Sequence, residues 1–298
     1  MTEGYRRYQA MVEAALPGLL IHGEPPEQLL EAMRYSLMAG GKRLRPVMML
    51  AMADMLGGDV EMAVAPACAV EMIHTYSLIH DDLPGMDNDV MRRGKPTNHV
   101  VYGVGQAILA GDGLLSHAFE IMLTNALAYP AQIERHVKAM REIAKAAGIG
   151  GMVGGQCVDL LCELGEVVCD KPPEQLLDYI HRRKTGALIR APLIAGALLC
   201  GADEARLAAA GAYGDWLGAL FQASDDLLDV EGDAGKLGKS VGKDQRTGKL
   251  TSVSLYGVKG TRARIESFAE EALSALEIFG EAAVFFRDLT RSLASRRV

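Results

Sequence analysis

The sequence predicts an all-α fold, a bundle of ten or more helices, from its composition, its hydrophobic periodicity and its lack of strand patterns. The 298 residues are rich in Ala, Leu, Met, Glu, Lys and Arg, which are good helix formers. Apolar residues recur at helical spacing, as at Leu29, Leu30, Met33 and Leu37. Alternating strand-like runs are nearly absent, and aromatic residues make up only 5% of the chain. No shift in composition marks a linker, so residues 1–298 are expected to form a single domain.

Proline and glycine positions set the expected order of the helices. Helices are expected to begin at Pro25-Pro26, near Pro46 and at Pro172-Pro173. Further helices are expected over about 61–83, 103–128, 131–147 and 204–229. Two more helices are expected at the end of the chain. Helix ends or loops are expected at Gly40-Gly41, Gly57-Gly58, Pro84-Gly85, 87–98 and 232–248. Five glycines in residues 148–155 indicate a place where backbone or ligand approaches closely.

Charge and cysteine content narrow the class of protein. The net charge of −7 disfavours a nucleic-acid partner, because general nucleic-acid binders are usually basic. Five cysteines, an odd number without a CxxC pair, predict reduced core thiols in a cytoplasmic protein. The longest stretch without Asp, Glu, Lys or Arg is Pro96–Gly111, 16 residues, and a membrane span needs about 20 mainly apolar residues. We therefore expect no stable membrane insertion.

Two aspartate-rich motifs each close an apolar helix. They are Asp81, Asp82 and Asp87 in DDxxxxD, and Asp225, Asp226 and Asp229 in DDxxD. Carboxylates about 4 Å apart repel by about 4 kcal/mol at an effective dielectric constant near 20, and a helix C-terminus adds to this cost. A cation must offset the charge, and oxygen donors of this kind suit Mg²⁺. One such motif alone would usually be a solvated helix end, but two of them favour a metal site.

Basic residues cluster in the same regions of this acidic chain. The clusters are Lys42, Arg43 and Arg45; Arg92, Arg93 and Lys95; Arg182, Arg183 and Lys184; and Lys236, Lys239 and Lys243. A single cluster is usually a solvated face, but an acidic motif beside basic clusters predicts a metal-bridged diphosphate. No GxxxxGK[ST], no GxGxxG after a strand and no GxSxG occurs, which disfavours an NTPase, a dehydrogenase or a serine hydrolase. For His74, seven residues before Asp81, helix packing and ligand binding remain equally open.

Several short motifs also occur in a characteristic order. They are Gly40-Gly41-Lys42-Arg43-Leu44-Arg45-Pro46, Ile79–Asp82, Arg92-Arg93-Gly94-Lys95-Pro96-Thr97, Gly154-Gly155-Gln156, Lys184-Thr185-Gly186, and Phe221-Gln222 before Asp225–Asp229. Together, over about residues 30–250, they resemble the trans-isoprenyl diphosphate synthase family, and they are highly specific. The expanded first acidic motif, with Tyr76 five positions before Asp81, is most similar to the bacterial farnesyl diphosphate synthases. Bacterial and plant geranylgeranyl diphosphate synthases are the next most similar.

The resemblance implies a single polyprenyl synthase domain of the isoprenoid synthase type, with helices around a central cavity, in a cytoplasmic homodimer. It implies an enzyme that condenses isopentenyl diphosphate with allylic diphosphates, dimethylallyl and then geranyl, to give farnesyl diphosphate. A geranylgeranyl diphosphate synthase is the main alternative, and a non-catalytic partner subunit of a prenyl synthase is a weaker one. Such a partner would be expected to lack one acidic motif, whereas this chain keeps both.

The resemblance also implies roles for individual residues. Three Mg²⁺ ions would be held by Asp81, Asp82, Asp87 and Asp225, with Asp226 and Asp229 in supporting roles. The allylic diphosphate would contact Arg92, Lys184 and Lys239, and isopentenyl diphosphate would contact Gly41, Lys42, Arg45, His74 and Arg93. Thr185 and Gln222 would stabilise the carbocation. The catalytic set is thus Asp81, Asp82, Asp225, Lys184, Thr185 and Gln222.

Product length is expected to depend on Tyr76 and its small neighbour Ser77. Tyr76 precedes Asp81 by about 7.5 Å along the helix axis at 1.5 Å per residue, which is similar to one isoprene unit. Composition alone would make Tyr76 ordinary core, and the resemblance favours a ring that limits the product to C15.

One departure from the family pattern follows the second acidic motif. The family commonly shows Lys-x-Thr-Tyr-Pro there, and this chain has Lys249-Leu250-Thr251-Ser252-Val253. We expect that this changes a helix start and touches no metal ligand.

Overall fold

A computed structural model describes residues 2–21, 23–166, 172–231 and 249–296. The described chain is almost wholly helical, which confirms the predicted all-α class. The helices are α1 (Glu3–Leu19), α2 (Glu27–Leu37), α3 (Leu44–Met55), α4 (Val60–Asp81), α5 (Asn98–Tyr102), α6 (Val104–Ala128), α7 (Ile133–Ala147), α8 (Met152–Glu163), α9 (Pro173–Ile180), α10 (Ala187–Leu199), α11 (Glu204–Glu231), α12 (Ser252–Ala275) and α13 (Val284–Ala294). A π-helical segment, His181–Gly186, joins α9 to α10, and two 3-10 segments lie at Pro130–Gln132 and Glu277–Ala283.

Helix α1 and a short hairpin are among the elements that the sequence-based prediction lacked. Helix α1 was not predicted; Thr2 caps its N-terminus, and it buries Tyr8, Val12 and Leu16 along one face. The predicted loop 87–98 contains a two-stranded hairpin of β1 (Met91–Arg92) and β2 (Lys95–Pro96). Its turn residues Arg93 and Gly94 have φ angles of 52° and 74°, the left-handed conformation that a two-residue hairpin turn requires.

The contacts divide the chain into two compact units. Unit 1 is Met1–Arg141 with Leu198–Gly201, and unit 2 is Glu142–Ala197 with Ala202–Val298. The single domain over residues 1–298 stays a prediction.

In unit 1, α4 is the central helix. It packs against α1, α3 and α6, and almost every residue from Met62 to Ile73 is buried. Helices α4 and α6 are both long and apolar enough to cross a membrane by length and composition. For α4, 72% of the apolar window is buried inside the protein, whereas the figure for α6 is 39%. The absence of membrane insertion therefore stays a prediction. Much of the apolar window of α6 is exposed in this structure.

In unit 2, α11 packs against the π-helical segment, α12 and α13. Two glycines allow its elements to approach closely. A Cβ on Gly155 would lie 2.2 Å from the backbone nitrogen of Lys184, and a Cβ on Gly218 would lie 2.9 Å from the Cα of Gly186. The glycine-rich stretch was predicted as a place of close approach, and Gly155 confirms this for backbone.

The cysteine prediction is correct only in part. Cys68 is a buried thiol in α4, but Cys157 is exposed on α8 and is not a core residue. Cys162 and Cys200 are half-buried. Cys169 lies outside the described residues.

Candidate active site

The first acidic motif forms a tight turn at the end of α4 in unit 1. Asp81 is the last residue of the helix, and Asp82 is its C-cap. The chain then turns back, so that the backbone N–H of Asp87 donates to the carbonyl oxygen of Asp81 at 2.8 Å. Asp81 and Asp87 are half-buried, whereas Asp82 is only 2% exposed. The turn therefore brings two accessible aspartates together and buries the third.

Asp82 is paired with Arg92 of the hairpin. The Arg92 Nε lies 2.8 and 2.9 Å from the two Asp82 oxygens, and an Nη lies 2.6 Å from Oδ1. Burial raises the pKa of Asp82 above its ordinary value, although Arg92 opposes this. Burial alone would lower the pKa of Arg92, but the hydrogen bond and charge of Asp82 raise it. A predicted metal ligand and a predicted diphosphate contact are thus bound to each other.

A group of arginines surrounds His74 in unit 1. The pKa of His74 is well below its ordinary value because of burial, then the positive charges of Arg45, Arg93, Arg92 and Arg43. His74 is therefore neutral at physiological pH. Arg92 and Arg43 have carboxylate partners, Asp82 and Glu71, so Arg45 and Arg93 are the members of this group that we expect to bind an anion.

Gly41 is required beside this group. Its φ angle is 126°, and a Cβ there would lie 2.8 Å from the guanidinium carbon of Arg93. An Nη of Arg93 donates to the carbonyl oxygen of Gly40, and burial lowers the pKa of Arg93. Lys42 is exposed, and its backbone carbonyl accepts a hydrogen bond of 2.6 Å from the Tyr5 hydroxyl. Gly41, Lys42 and Arg93 of the predicted pocket therefore lie together.

Arg43 has a different environment from its neighbours in the sequence. It is 1% exposed and pairs with Glu71 at 2.8 Å and with Glu13 at 2.7 Å. A third hydrogen bond of 2.8 Å goes to the carbonyl oxygen of Leu37. Arg43 was grouped with Lys42 and Arg45 as a basic cluster, but it belongs to a buried ion network that connects α1, α3 and α4.

Tyr76 is a buried residue on α4 in contact with His80. The two rings are edge to face with centroids 5.6 Å apart, and Tyr76 is 6% exposed. Burial, with a smaller effect of Asp81 and Asp112, raises the pKa of Tyr76 to about 12, so the phenol stays neutral. The Ser77 hydroxyl donates to the carbonyl oxygen of His74 at 2.8 Å. Position 77 therefore contributes no bulk at this level of the helix.

The second acidic motif lies near the end of α11 in unit 2. Asp225 is half-buried, and its Oδ1 lies 3.3 Å from an Nη of Arg296 near the C-terminus. The Arg296 guanidinium also lies 5.4 Å from the centroid of the Phe221 ring. Asp226 and Asp229 are 4% and 6% exposed. Among the described residues, no donor reaches the buried Oδ2 of Asp229.

Lys184 and Thr185 lie in the π-helical segment beside this motif. Such segments often mark functional sites. The Thr185 hydroxyl donates to Gln222 Oε1 at 2.8 Å, and the Gln222 amide donates to Asp226 Oδ1 at 2.9 Å. Burial lowers the pKa of His181, whose Nε2 lies 3.6 Å from Asp226 Oδ2, although the charge of Asp226 opposes this. The structure thus joins Thr185, Gln222 and Asp226 into one network.

The third basic cluster is divided between two environments. Lys184 Nζ lies 2.6 Å from Oδ2 of the buried Asp159. Arg183 instead donates to the carbonyl oxygen of Gly150 and stacks over the Tyr179 ring at 4.8 Å. Arg182 and Arg183 line a separate cavity of about 680 Å³ in unit 2, and neither Lys184 nor Asp225 contributes to it.

Two residues near the predicted site were not identified from the sequence, and one predicted site residue lies outside the described residues. Asp159 and Lys249 were not predicted, yet Lys249 Nζ lies 3.4 Å from the Asp159 carboxylate and 2.8 Å from Glu163. Asp159 follows the Gly154-Gly155-Gln156 motif by three residues, almost one helical turn, and that spacing could have identified it. Lys239 lies outside the described residues.

Comparisons with known proteins agree on one family. A family model described as polyprenyl synthetase matches residues 26–279. The geranylgeranyl diphosphate synthase of Cyanophora paradoxa is 44% identical over 284 residues, which cover 95% of this chain and 92% of that protein. The farnesyl diphosphate synthase of Geobacillus stearothermophilus is 44% identical over 262 residues, 88% of this chain and 86% of that protein. The crystal structure of an FPP/GFPP synthase from Zymomonas mobilis superposes with a TM-score of 0.85 at 34% identity, covering 97% of each chain.

Proposed function

The chain belongs to the polyprenyl synthetase family and is a prenyltransferase, and from this premise we propose that it is a farnesyl diphosphate synthase. It would condense isopentenyl diphosphate head to tail with dimethylallyl diphosphate and then with geranyl diphosphate. The observation that carries the C15 assignment is the buried ring of Tyr76, five residues before Asp81 and packed edge to face on His80. The C20 alternative is supported by the geranylgeranyl diphosphate synthases among the relatives.

The chain's own residues bind and orient the two substrates. Arg45, Arg93 and Lys42 hold isopentenyl diphosphate in unit 1, beside the neutral His74. Lys184, held by Asp159, binds the allylic diphosphate in unit 2. Fixing two reactants in this way supplies part of the rate acceleration, because the reaction becomes effectively unimolecular.

The carboxylates of both motifs fit Mg²⁺. All donors are oxygens, and the Oδ2 of Asp229 is a buried acceptor without a hydrogen bond from any described residue. Within the described chain, no three His, Cys, Asp or Glu side chains form a complete metal cage. Mg²⁺ suits such an arrangement, since it binds one or two carboxylates and takes its other ligands from phosphate and water. Asp81 and Asp87 in unit 1 would bind Mg²⁺, as would Asp225 in unit 2, and three ions in all would neutralise the diphosphate charge.

The bond changes follow from the substrates. The allylic C–O bond breaks to leave a delocalised cation, and the isopentenyl double bond attacks that cation to form the new C–C bond. Loss of a proton then forms the new double bond, and we assign that proton to the released diphosphate. Apolar side chains along the helices would exclude water, which would otherwise capture the cation.

The assembly is proposed to be a cytoplasmic homodimer. Leu109, Leu123 and Leu127 on α6 are 52%, 55% and 76% exposed, and Val137 on α7 is 52% exposed. Exposed apolar side chains along one helix can mark an association site, and we propose that a second copy covers those of α6.

The proposed function is tested by mixing the purified chain with Mg²⁺, isopentenyl diphosphate and dimethylallyl diphosphate, and identifying the products. Farnesyl diphosphate is expected as the main product. Asp81→Ala and Asp225→Ala should abolish turnover while circular dichroism stays unchanged. Asp215→Ala is the control on α11, because Asp215 is exposed and pairs only with Arg190 at 3.2 Å among the described residues. Mainly C20 product would exclude the C15 assignment, and normal turnover of either Asp variant would exclude the metal site.

A further inference from the structure

A directed chain of hydrogen bonds connects a helix N-terminus to the active-site threonine within unit 2. The backbone N–H of Ser252, the first residue of α12, donates to Asp226 Oδ2 at 2.7 Å. Gln222 Nε2 donates to Asp226 Oδ1 at 2.9 Å, and Thr185 Oγ1 donates to Gln222 Oε1 at 2.8 Å. Ser252 and Asp226 are 2% and 4% exposed, so water does not compete at this end of the chain.

Asp226 determines the direction of every bond in this chain. An ionised carboxylate only accepts hydrogen bonds, so the Gln222 amide must turn its NH₂ group toward Asp226. The amide oxygen then faces Thr185 and can only accept, which forces the Thr185 hydroxyl to donate to it. The remaining lone pairs of Thr185 Oγ1 face away from Gln222. A single buried carboxylate thus fixes the direction in which the Thr185 hydroxyl donates, and it leaves the lone pairs of that oxygen free to face a cation.

The position of Thr185 indicates how this hydrogen-bond direction could affect the reaction. Thr185 follows Lys184, the proposed diphosphate ligand, and Gln222 precedes Asp225 by one helical turn. The allylic carbon that becomes cationic is bonded to that diphosphate. We propose that Asp226 is a positioning residue, which fixes the dipoles of Gln222 and Thr185 so that oxygen lone pairs, not hydrogens, face the developing cation. This rests on the proposed prenyltransferase reaction and assigns Asp226 a role distinct from metal binding.

The substitution Asp226→Asn is expected to reverse the chain. The Ser252 N–H is a fixed backbone donor, so the new amide at position 226 must turn its oxygen toward Ser252 and its NH₂ toward Gln222. Two NH₂ groups cannot face each other, and Gln222 therefore rotates its own oxygen toward position 226. Its NH₂ then donates to Thr185 Oγ1. The Thr185 hydroxyl no longer donates to Gln222, so its hydrogen turns toward the substrate. The expected result is a kcat lower by about 10- to 100-fold, the range for a hydrogen bond to a charged group, with little change in the Mg²⁺ requirement.

A swap of the acid and the amide tests the proposal. In Asp226→Asn with Gln222→Glu, the amide at position 226 still accepts from Ser252 and donates to the new carboxylate at position 222. The second oxygen of that carboxylate accepts from Thr185. The original polarity at Thr185 returns. The kcat of the double variant should therefore be at least tenfold higher than the kcat of Asp226→Asn alone. Asp215→Asn, on the same helix, is the control and should match the wild type.

The outcomes separate this proposal from the proposed function. If the double variant is no faster than Asp226→Asn, or if excess Mg²⁺ restores the single variant, the positioning role is overturned while the wild-type activity stands. If circular dichroism shows that Asp226→Asn alone does not fold, the double variant is compared with Gln222→Glu alone instead. Gln222→Glu places two carboxylates together, so its kcat should be lower than that of the double variant. A wild-type chain that forms no prenyl diphosphate would overturn the proposed function itself.

Discussion

Lys184 Nζ lies 2.6 Å from Oδ2 of Asp159, and Lys249 Nζ lies 3.4 Å from the same oxygen. Asp159 is 3% exposed, and burial alone would raise its pKa, but the charges of the two lysines hold the pKa below its ordinary value. One ionised carboxylate on α8 therefore fixes two ammonium groups in unit 2. A lysine has a flexible four-carbon side chain, so this contact decides where its charge lies.

Removing the Asp159 charge should weaken allylic substrate binding. Asp159→Asn is expected to raise the KM for dimethylallyl diphosphate by about 10- to 100-fold, because a charge-assisted hydrogen bond that orients Lys184 is lost. The KM for isopentenyl diphosphate should change far less. Initial rates with each substrate varied in turn measure both constants.

Asp178→Asn is the matched control, since Asp178 also pairs with a cation, Arg264, at 3.5 Å, but is half-exposed. It should leave both KM values near those of the wild type. Equal increases for both substrates in Asp159→Asn would contradict the role of Asp159 in allylic binding.

The sequence predicted most of the fold because helix boundaries are local. Proline, glycine and apolar spacing placed α4 at about 61–83, and the structure has Val60–Asp81. Helix α1 was missed, although its buried residues Tyr8, Val12 and Leu16 repeat at helical spacing. The hairpin at Met91–Pro96 depends on positive φ angles at two residues, Arg93 and Gly94, and Arg93 gives no compositional signal for such a turn.

Candidate site residues were identified one by one from the sequence, but their pairings were not. Sequence alone treats Arg43 and Arg45 alike, because both are arginines in one basic run. Only packing shows that Arg43 enters a buried network with Glu71 from α4, and that Asp82 is bound to Arg92 from the hairpin. These pairings join residues from separate elements, and no local pattern encodes them.

The two arginines of this run should therefore give opposite phenotypes. Arg43→Met leaves Glu71 buried without its partner and should lower the free energy of unfolding by about 3–5 kcal/mol, the usual cost of breaking a buried ion pair. Arg45→Met should raise the KM for isopentenyl diphosphate and change stability little. Urea unfolding and steady-state kinetics on both variants measure the contrast. A stable Arg43→Met protein with impaired substrate binding would show that Arg43 belongs to the site.

The apolar face of α6 should control assembly. Leu123→Glu and Leu127→Glu each place a charge on this face, and both should convert a dimer to a monomer in sedimentation equilibrium. The control is Ile149→Glu in unit 2, since Ile149 is 89% exposed and lies outside α6 and α7. If both leucine variants sediment as the wild type does, the second copy does not bind here.

Product length should respond to Gly111 on α6, a residue that touches no substrate in the proposed reaction. A Cβ on Gly111 would lie 2.2 Å from Nε2 of His80, and that nitrogen is 3.1 Å from the carbonyl oxygen of Ile108. Gly111→Ala must therefore move the His80 ring, which forms the edge-to-face contact with Tyr76 at 5.6 Å. We expect Tyr76 to lose its fixed position, and the products to extend from C15 to C20.

Two variants complete this experiment. Tyr76→Ala removes the ring itself and should produce the larger shift to C20 or longer products. Gly105→Ala, on the same helix, has no neighbour within 4 Å of the added Cβ and should keep the wild-type distribution. Chromatography of the dephosphorylated products gives the ratio of chain lengths for each variant. If Gly111→Ala and Gly105→Ala give the same ratio, His80 does not hold Tyr76 in place, and an unchanged ratio in Tyr76→Ala would mean that chain length is limited elsewhere along the helix.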